Sequence, residues 1–109
     1  MVREDVLNSN LHGSATLVDA SSIMSGNVTY CVHAGMCTVR MVVDFLSDIS
    51  TATAVASGLP LPAIEPRFII AQNGGSGTGQ FYVNTQGELL FNSAKENYIF
   101  YFTFTYPIL

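Results

Sequence analysis

Near the C-terminus five aromatic residues fall on every second position: Tyr98, Phe100, Phe102, Phe104 and Tyr106. In a β-strand alternate side chains share one face, whereas a helix would scatter these rings around its circumference. Aromatic residues also sit well on a pleated surface. The segment therefore predicts a strand with one aromatic face, which must be buried against something large. Its other face begins with Ile99 and Tyr101 and turns to Thr103 and Thr105. That predicts a central strand, covered on both sides for part of its length.

Strand and turn signals fill the chain from Leu11 onward. Ser14 to Val18 suits a short strand, and Asn27 opens a strand after Gly26. Asn27–His33 and Met36–Phe45 read as a long hairpin. A turn at Ala34-Gly35 pairs Val32 with Cys37, Tyr30 with Val39 and Val28 with Met41, matching apolar to apolar. Val39, Met41, Val43 and Phe45 then form the apolar side of the second arm, with Arg40 and Asp44 on the other. Cys31 falls opposite Thr38, facing away from Cys37, which excludes a bridge. A three-residue loop would instead pair the two cysteines directly. Ser50–Ser57 gives a weak signal, and the prolines of Gly58–Ala63 demand an extended crossing. Arg67–Gln72 is a strand, Asn73–Gly79 a flexible loop, Gln80–Val83 and Glu88–Phe91 a hairpin, and Asn92–Glu96 a turn. Turns every ten or so residues indicate an all-β antiparallel sandwich or barrel-like domain. Residues 1 to 10 differ, with Val2 and Val6 at helical spacing, and read as a linker or the end of an upstream shaft. Residues 11 to 109 form the sandwich domain.

At 109 residues the chain holds one domain with a modest core. It is 49% hydrophobic but only 11% charged, well below the roughly one quarter usual in soluble domains. Small polar residues must cover much of the surface, and the apolar excess predicts burial between subunits. With a net charge of -4 and no basic cluster, the chain does not suit nucleic acid or an anionic membrane. No apolar run is long enough to insert in a bilayer. The N-terminus, with Glu4 and Asp5, lacks the shape of a signal peptide. Two free thiols at Cys31 and Cys37 fit a reducing compartment.

No constellation points to catalysis. Gly74 to Gly79 has the outer glycine spacing of a P-loop, but Gln80 and Phe81 stand where Lys and Ser/Thr belong and a strand follows. Cys31, His33 and Cys37 fall short of the four ligands of structural zinc, His12 being the only other histidine. Asp44 and Asp48 read as solvated acids, and Asn27-Val28-Thr29 matches a glycosylation sequon. The expectation is a protein that is not an enzyme and uses no metal or cofactor. Tyr30, His33, Arg40, Asp44, Gln72 and Asn73 are the candidate saccharide contacts, because sugars take planar hydrogen-bonding groups and an aromatic platform. The strongest platform, Trp, is absent.

Four segments together resemble one family: the Asn27–Arg40 hairpin, the Gly58–Ala63 crossing, the Gly79–Leu89 hairpin, and the closing Thr105-Tyr106-Pro107-Ile108. Their order is similar to the C-terminal head domain of receptor-binding and tail-fibre proteins of phages and prophages of Gram-positive hosts. The resemblance implies a homotrimeric, jelly-roll-like head at the virion tail tip. It would be made in the host cytoplasm, bind host cell-wall saccharide and contact other tail proteins. Two alternatives stay open. One is a structural baseplate or fibre module that docks another tail protein. The other is an extracellular trimeric ligand of the complement or tumour-necrosis type.

Overall fold

A computed structural model describes residues 11 to 109. The reading of residues 1 to 10 as a linker lies outside the described residues. The described chain forms nine strands: β1 (Leu11–Ser14), β2 (Thr16–Leu17), β3 (Met24–His33), β4 (Met36–Phe45), β5 (Thr53–Ser57), β6 (Arg67–Ala71), β7 (Thr78–Val83), β8 (Leu89–Ser93) and β9 (Ile99–Pro107). They make two antiparallel sheets, ordered β1-β3-β4-β9 and β2-β5-β8-β7-β6.

The β3–β4 hairpin has the register expected from matching apolar residues. Val32 pairs with Cys37, Tyr30 with Val39 and Val28 with Met41. Cys31 pairs with Thr38, so the two thiols point to opposite faces of the sheet. Val39, Met41, Val43 and Phe45 are all buried. Gly26 lies within β3, not before it: the strand begins at Met24. Its φ of 118° is closed to ordinary side chains, and a Cβ there would overlap the carbonyl oxygen of Val42.

Three other expectations are corrected. Ser14–Val18 is not one strand: the chain passes from β1 in one sheet to β2 in the other, with Ala15 between them. The weak Ser50–Ser57 segment contains a true strand, β5. It slips register against β8 between Ala54 and Ala56, and a bulge of this kind blurs the period-two signal. Finally, β9 is an edge strand, not a central one. Its outer face is open, and Tyr101 is 62% exposed.

The aromatic face of β9 is nevertheless buried, by the second sheet of the same chain. Phe100, Phe104 and Tyr106 are inaccessible or nearly so, while Tyr98 and Phe102 are half-buried. Phe81 of β7 is the hub. Its ring centroid lies 5.3 Å from Phe68, 5.2 Å from Phe91, 5.9 Å from Phe102 and 5.1 Å from Phe104. Phe45 extends the cluster through Phe91 at 4.7 Å and Phe100 at 5.8 Å. These separations suit tilted and edge-to-face contacts, each worth about 0.5–1.5 kcal/mol beyond area burial. The large partner that the row requires is thus the chain's own second sheet. Among the described residues no polar or charged residue is buried, so polar chemistry is confined to outer faces and loops. At the far end Tyr106 donates its hydroxyl to the carbonyl of Pro60 at 2.8 Å, which ties the proline-rich crossing to β9.

Truncating Phe81 to Ala should cost about 3–5 kcal/mol, because the ring fills the space between the sheets. Tyr101→Ala, outside the cluster, should change stability by less than about 0.5 kcal/mol. Urea unfolding of the two variants checks the contrast.

Candidate functional site

Register places the outward side chains of the four-stranded sheet in rows. His12, Cys31, Thr38 and Thr105 form one row, and Ser14, Thr29, Arg40 and Thr103 the next. Asn27, Val42 and Tyr101 follow, then Ser25, Asp44 and Ile99. The face is rich in hydroxyls because inward positions of the same strands take the core residues and leave the alternate ones to solvent. Thr38 and Thr105 share a hydrogen bond between hydroxyls, 3.1 Å long, as expected of a closely spaced cross-strand pair.

A shallow concavity of about 530 Å³ is lined by His12, Ser14, Thr29, Cys31, Thr38, Arg40 and Thr103, and also touches Gly13 and Tyr30. A second, of about 410 Å³, shares Arg40 and Thr103 and adds Val42 and Tyr101. A third, of about 230 Å³, includes Val42, Tyr101, Ile99, Ser25 and Asp44. Shared residues join the three into one groove along β4. Arg40 stands at its centre between Thr29 and Thr103. Among the described residues the one ion pair joins Arg67 to Glu65 at 3.1 Å, so Arg40 has no carboxylate partner there. Its guanidinium has five donors to offer. Tyr101, one row along on the same face, supplies an exposed ring.

The six candidate saccharide residues divide among these places. Arg40 and Asp44 lie in the groove, four residues apart on β4, which is roughly 13 Å along an extended strand. His33 faces the same way but stands at the opposite end, beside the turn, where it pairs with Met36. Gln72 and Asn73 sit in the β6–β7 loop. The Asn73 amide donates to the carbonyl of Ile99 at 2.7 Å, which brings the loop to the Asp44 end of β9. The Gln72 side chain folds over Gly75. Tyr30 is not a platform on this face. It pairs with Val39 and Gly13 and so points inward, where its ring covers Gly13 so closely that a Cβ would overlap it. There it packs against the edge of the core. The aromatic ring that does face the groove is Tyr101, which the sequence reading had assigned to a covered face. Its signal was parity: it is out of step with the five aromatics that point inward.

The two thiols stand in contrasting environments. Cys31 is half-buried in the groove, directly across from His12. Cys37 is buried beside Tyr106, and burial pushes its thiol pKa up. The Tyr106 hydroxyl is raised by the same cause, reinforced by Cys37. Because the thiolate is the reactive form, a thiol-specific reagent should modify Cys31 in the native protein and Cys37 only on unfolding. A Cys31→Ser variant should show no fast-reacting thiol.

Comparison with protein-family models, with curated proteins and with solved structures finds no match to this chain, so a functional reading has to be built from its own residues.

Proposed function

We propose that this chain is the head of a phage-type receptor-binding protein that holds host cell-wall saccharide on the outer face of its four-stranded sheet. The observation that carries this reading is the groove along β4. An Arg40 with no carboxylate partner among the described residues, a row of threonine hydroxyls and the exposed Tyr101 ring stand together on one sheet face. A guanidinium forks onto vicinal hydroxyls or an acidic substituent, threonines give and accept single hydrogen bonds, and a tyrosine face covers the apolar side of a sugar ring. The groove is open and shallow, which suits one stretch of a surface polymer held weakly at each site. Several copies on one tail would then multiply the affinity. No chemical step, metal or cofactor enters this reading.

In this proposal the head is a homotrimer at the tail tip, attached to other tail proteins, and jelly-roll-like in its two layers. The β3–β4 hairpin and the β6-β7-β8 meander each stay within one sheet, so the likeness lies in the layering and not in strand order. Support for association comes from apolar side chains left outside: Leu61, Ile64, which is 74% exposed, and Leu109, which is 82% exposed. The Leu109 amide donates to the Leu61 carbonyl at 3.0 Å, which places two of these residues side by side. The same patch favours a second reading, a structural module that docks another tail protein through this end. Capture of a tail component that Leu109→Asp prevents, with no saccharide bound, would support the second reading over the first.

An array of Gram-positive wall polysaccharides, probed with the intact protein, tests the first. Arg40→Ala should weaken binding about ten- to a hundredfold, the range set by about 1.5–3 kcal/mol for hydrogen bonds to a charged group. Tyr101→Ala should also weaken it, while Tyr30→Phe should leave it unchanged. Binding that persists in the Arg40 and Tyr101 variants, or an array that stays blank with folded protein, would refute the proposal.

A further inference from the structure

The loop between β6 and β7 carries the one Asn-Gly pair of the sequence, Asn73-Gly74. Both residues are exposed. The loop is tied at its base, where the Asn73 amide donates to the Ile99 carbonyl at 2.7 Å and the Gln72 amide to the Gly77 carbonyl at 2.8 Å. Its tip is not tied: among the described residues no hydrogen bond holds the Asn73 side chain or the Gly74 amide. Gly74 has a φ of 82°, and a Cβ built on it would meet open space.

The other described asparagines are restrained. Asn84 is locked through its own side chain. Its Oδ1 accepts from the amides of Gln86 at 3.0 Å and Glu88 at 2.9 Å, and its Nδ2 donates to Glu88 Oε1 at 2.8 Å. Asn97 is followed by Tyr98, whose amide is taken up by the Lys95 carbonyl at 3.0 Å. Asn27 and Asn92 lie in β3 and β8, interior strands of their sheets, where ladders on either side hold the backbone extended.

We propose that Asn73 is a site of spontaneous intramolecular deamidation. The amide carbon of an asparagine and the next backbone nitrogen are spaced to close a five-membered ring, and a following glycine puts no Cβ in the way. The Gly74 nitrogen loses its proton to hydroxide and bonds Asn73 Cγ. The Cγ–Nδ2 bond breaks, and Nδ2 takes a proton from water and leaves as ammonia. Water then opens the succinimide. Cleavage between the Gly74 nitrogen and Cγ gives aspartate on the normal backbone. Cleavage between that nitrogen and the main-chain carbonyl carbon of Asn73 gives isoaspartate, with the chain routed through Cβ and Cγ. Either product adds one carboxylate to a net charge of -4, at the residue bonded to Ile99, whose partner in β4 is Asp44. Isoaspartate also lengthens the loop by one backbone atom between its two ties. The inference concerns this loop alone and stands whether or not the outer groove binds saccharide.

Peptide mapping by mass spectrometry, on the full chain aged in mildly alkaline buffer, is the test. Deamidation should appear first at Asn73, at least about tenfold faster than at Asn27, Asn84, Asn92 or Asn97, whose surroundings must open before they react. In the folded chain its rate should lie within about tenfold of that in acetyl-Ile-Ala-Gln-Asn-Gly-Gly-Ser-Gly-amide, because an unbonded loop tip gives little protection. Isoaspartyl methyltransferase should label the tryptic peptide 68–95 from aged protein and not from fresh protein. Gly74→Ala should slow the reaction about tenfold, since its Cβ crowds the attacking nitrogen. Asn73→Gln, which can close only a six-membered ring, should leave that peptide unlabelled. Thermal unfolding of both variants should match the parent, because the loop lies outside the ring cluster. The proposal is overturned if another asparagine reacts first, if the folded chain is more than about tenfold slower than the peptide, or if Gly74→Ala reacts as fast as the parent.

Discussion

The ring cluster around Phe81 holds this molecule together. It is where the two sheets meet, and it joins residues far apart in sequence: Phe45 on β4, Phe68 on β6, Phe91 on β8 and the inward face of β9. Each buried ring removes a large apolar area from water, about 1.5–3 kcal/mol for a full Phe side chain. A domain this small has little else to draw on, since the described part contains no disulfide and only an exposed ion pair. Once the inward positions are committed to rings and β-branched residues, strand alternation sends every other residue outside. The polar groove on the four-stranded sheet is thus the complement of the core.

The same alternation divides β9 between the groove and the core. Outward side chains on this strand belong to residues whose backbone groups also face away from β4. Tyr101 and Thr103 therefore contribute a ring and a hydroxyl to the groove. The inward residues Phe100, Phe102 and Phe104 are bonded to β4 and packed on the other sheet. A substitution at an outward position of β9 alters the groove and leaves the core in place, whereas one at an inward position does the reverse.

Much of the fold was legible because it is local. The β3–β4 register follows from matching apolar residues across a short turn, and the structure has the same pairs. The position of β9 at an edge was not legible. It depends on β1 taking the far side of β3, and no pattern within either segment records that choice. The aromatic row announced a large buried partner without naming it, and the partner is the chain's own second sheet. Tyr30 points inward although a hydroxylated ring suggested a surface contact; its spacing from Val28 and Val32 puts it on that face. Gly13, distant in sequence, provides the room for it. Tyr101 was missed for the converse reason, since an aromatic residue beside Ile99 suggested cover where the sheet is open. Arg40 and Asp44 lie on the outer side of β4 as their alternation with core residues predicts.

Isotope-filtered nuclear Overhauser spectroscopy on a sample mixed from labelled and unlabelled protein tests most directly whether one chain shelters its own aromatic face. Contacts between the Phe81 and Phe104 rings should arise entirely within labelled chains and persist on dilution. Contacts between a labelled Phe81 and an unlabelled Phe104 would show that the row is buried by a neighbouring copy, and the architecture described above would have to be abandoned.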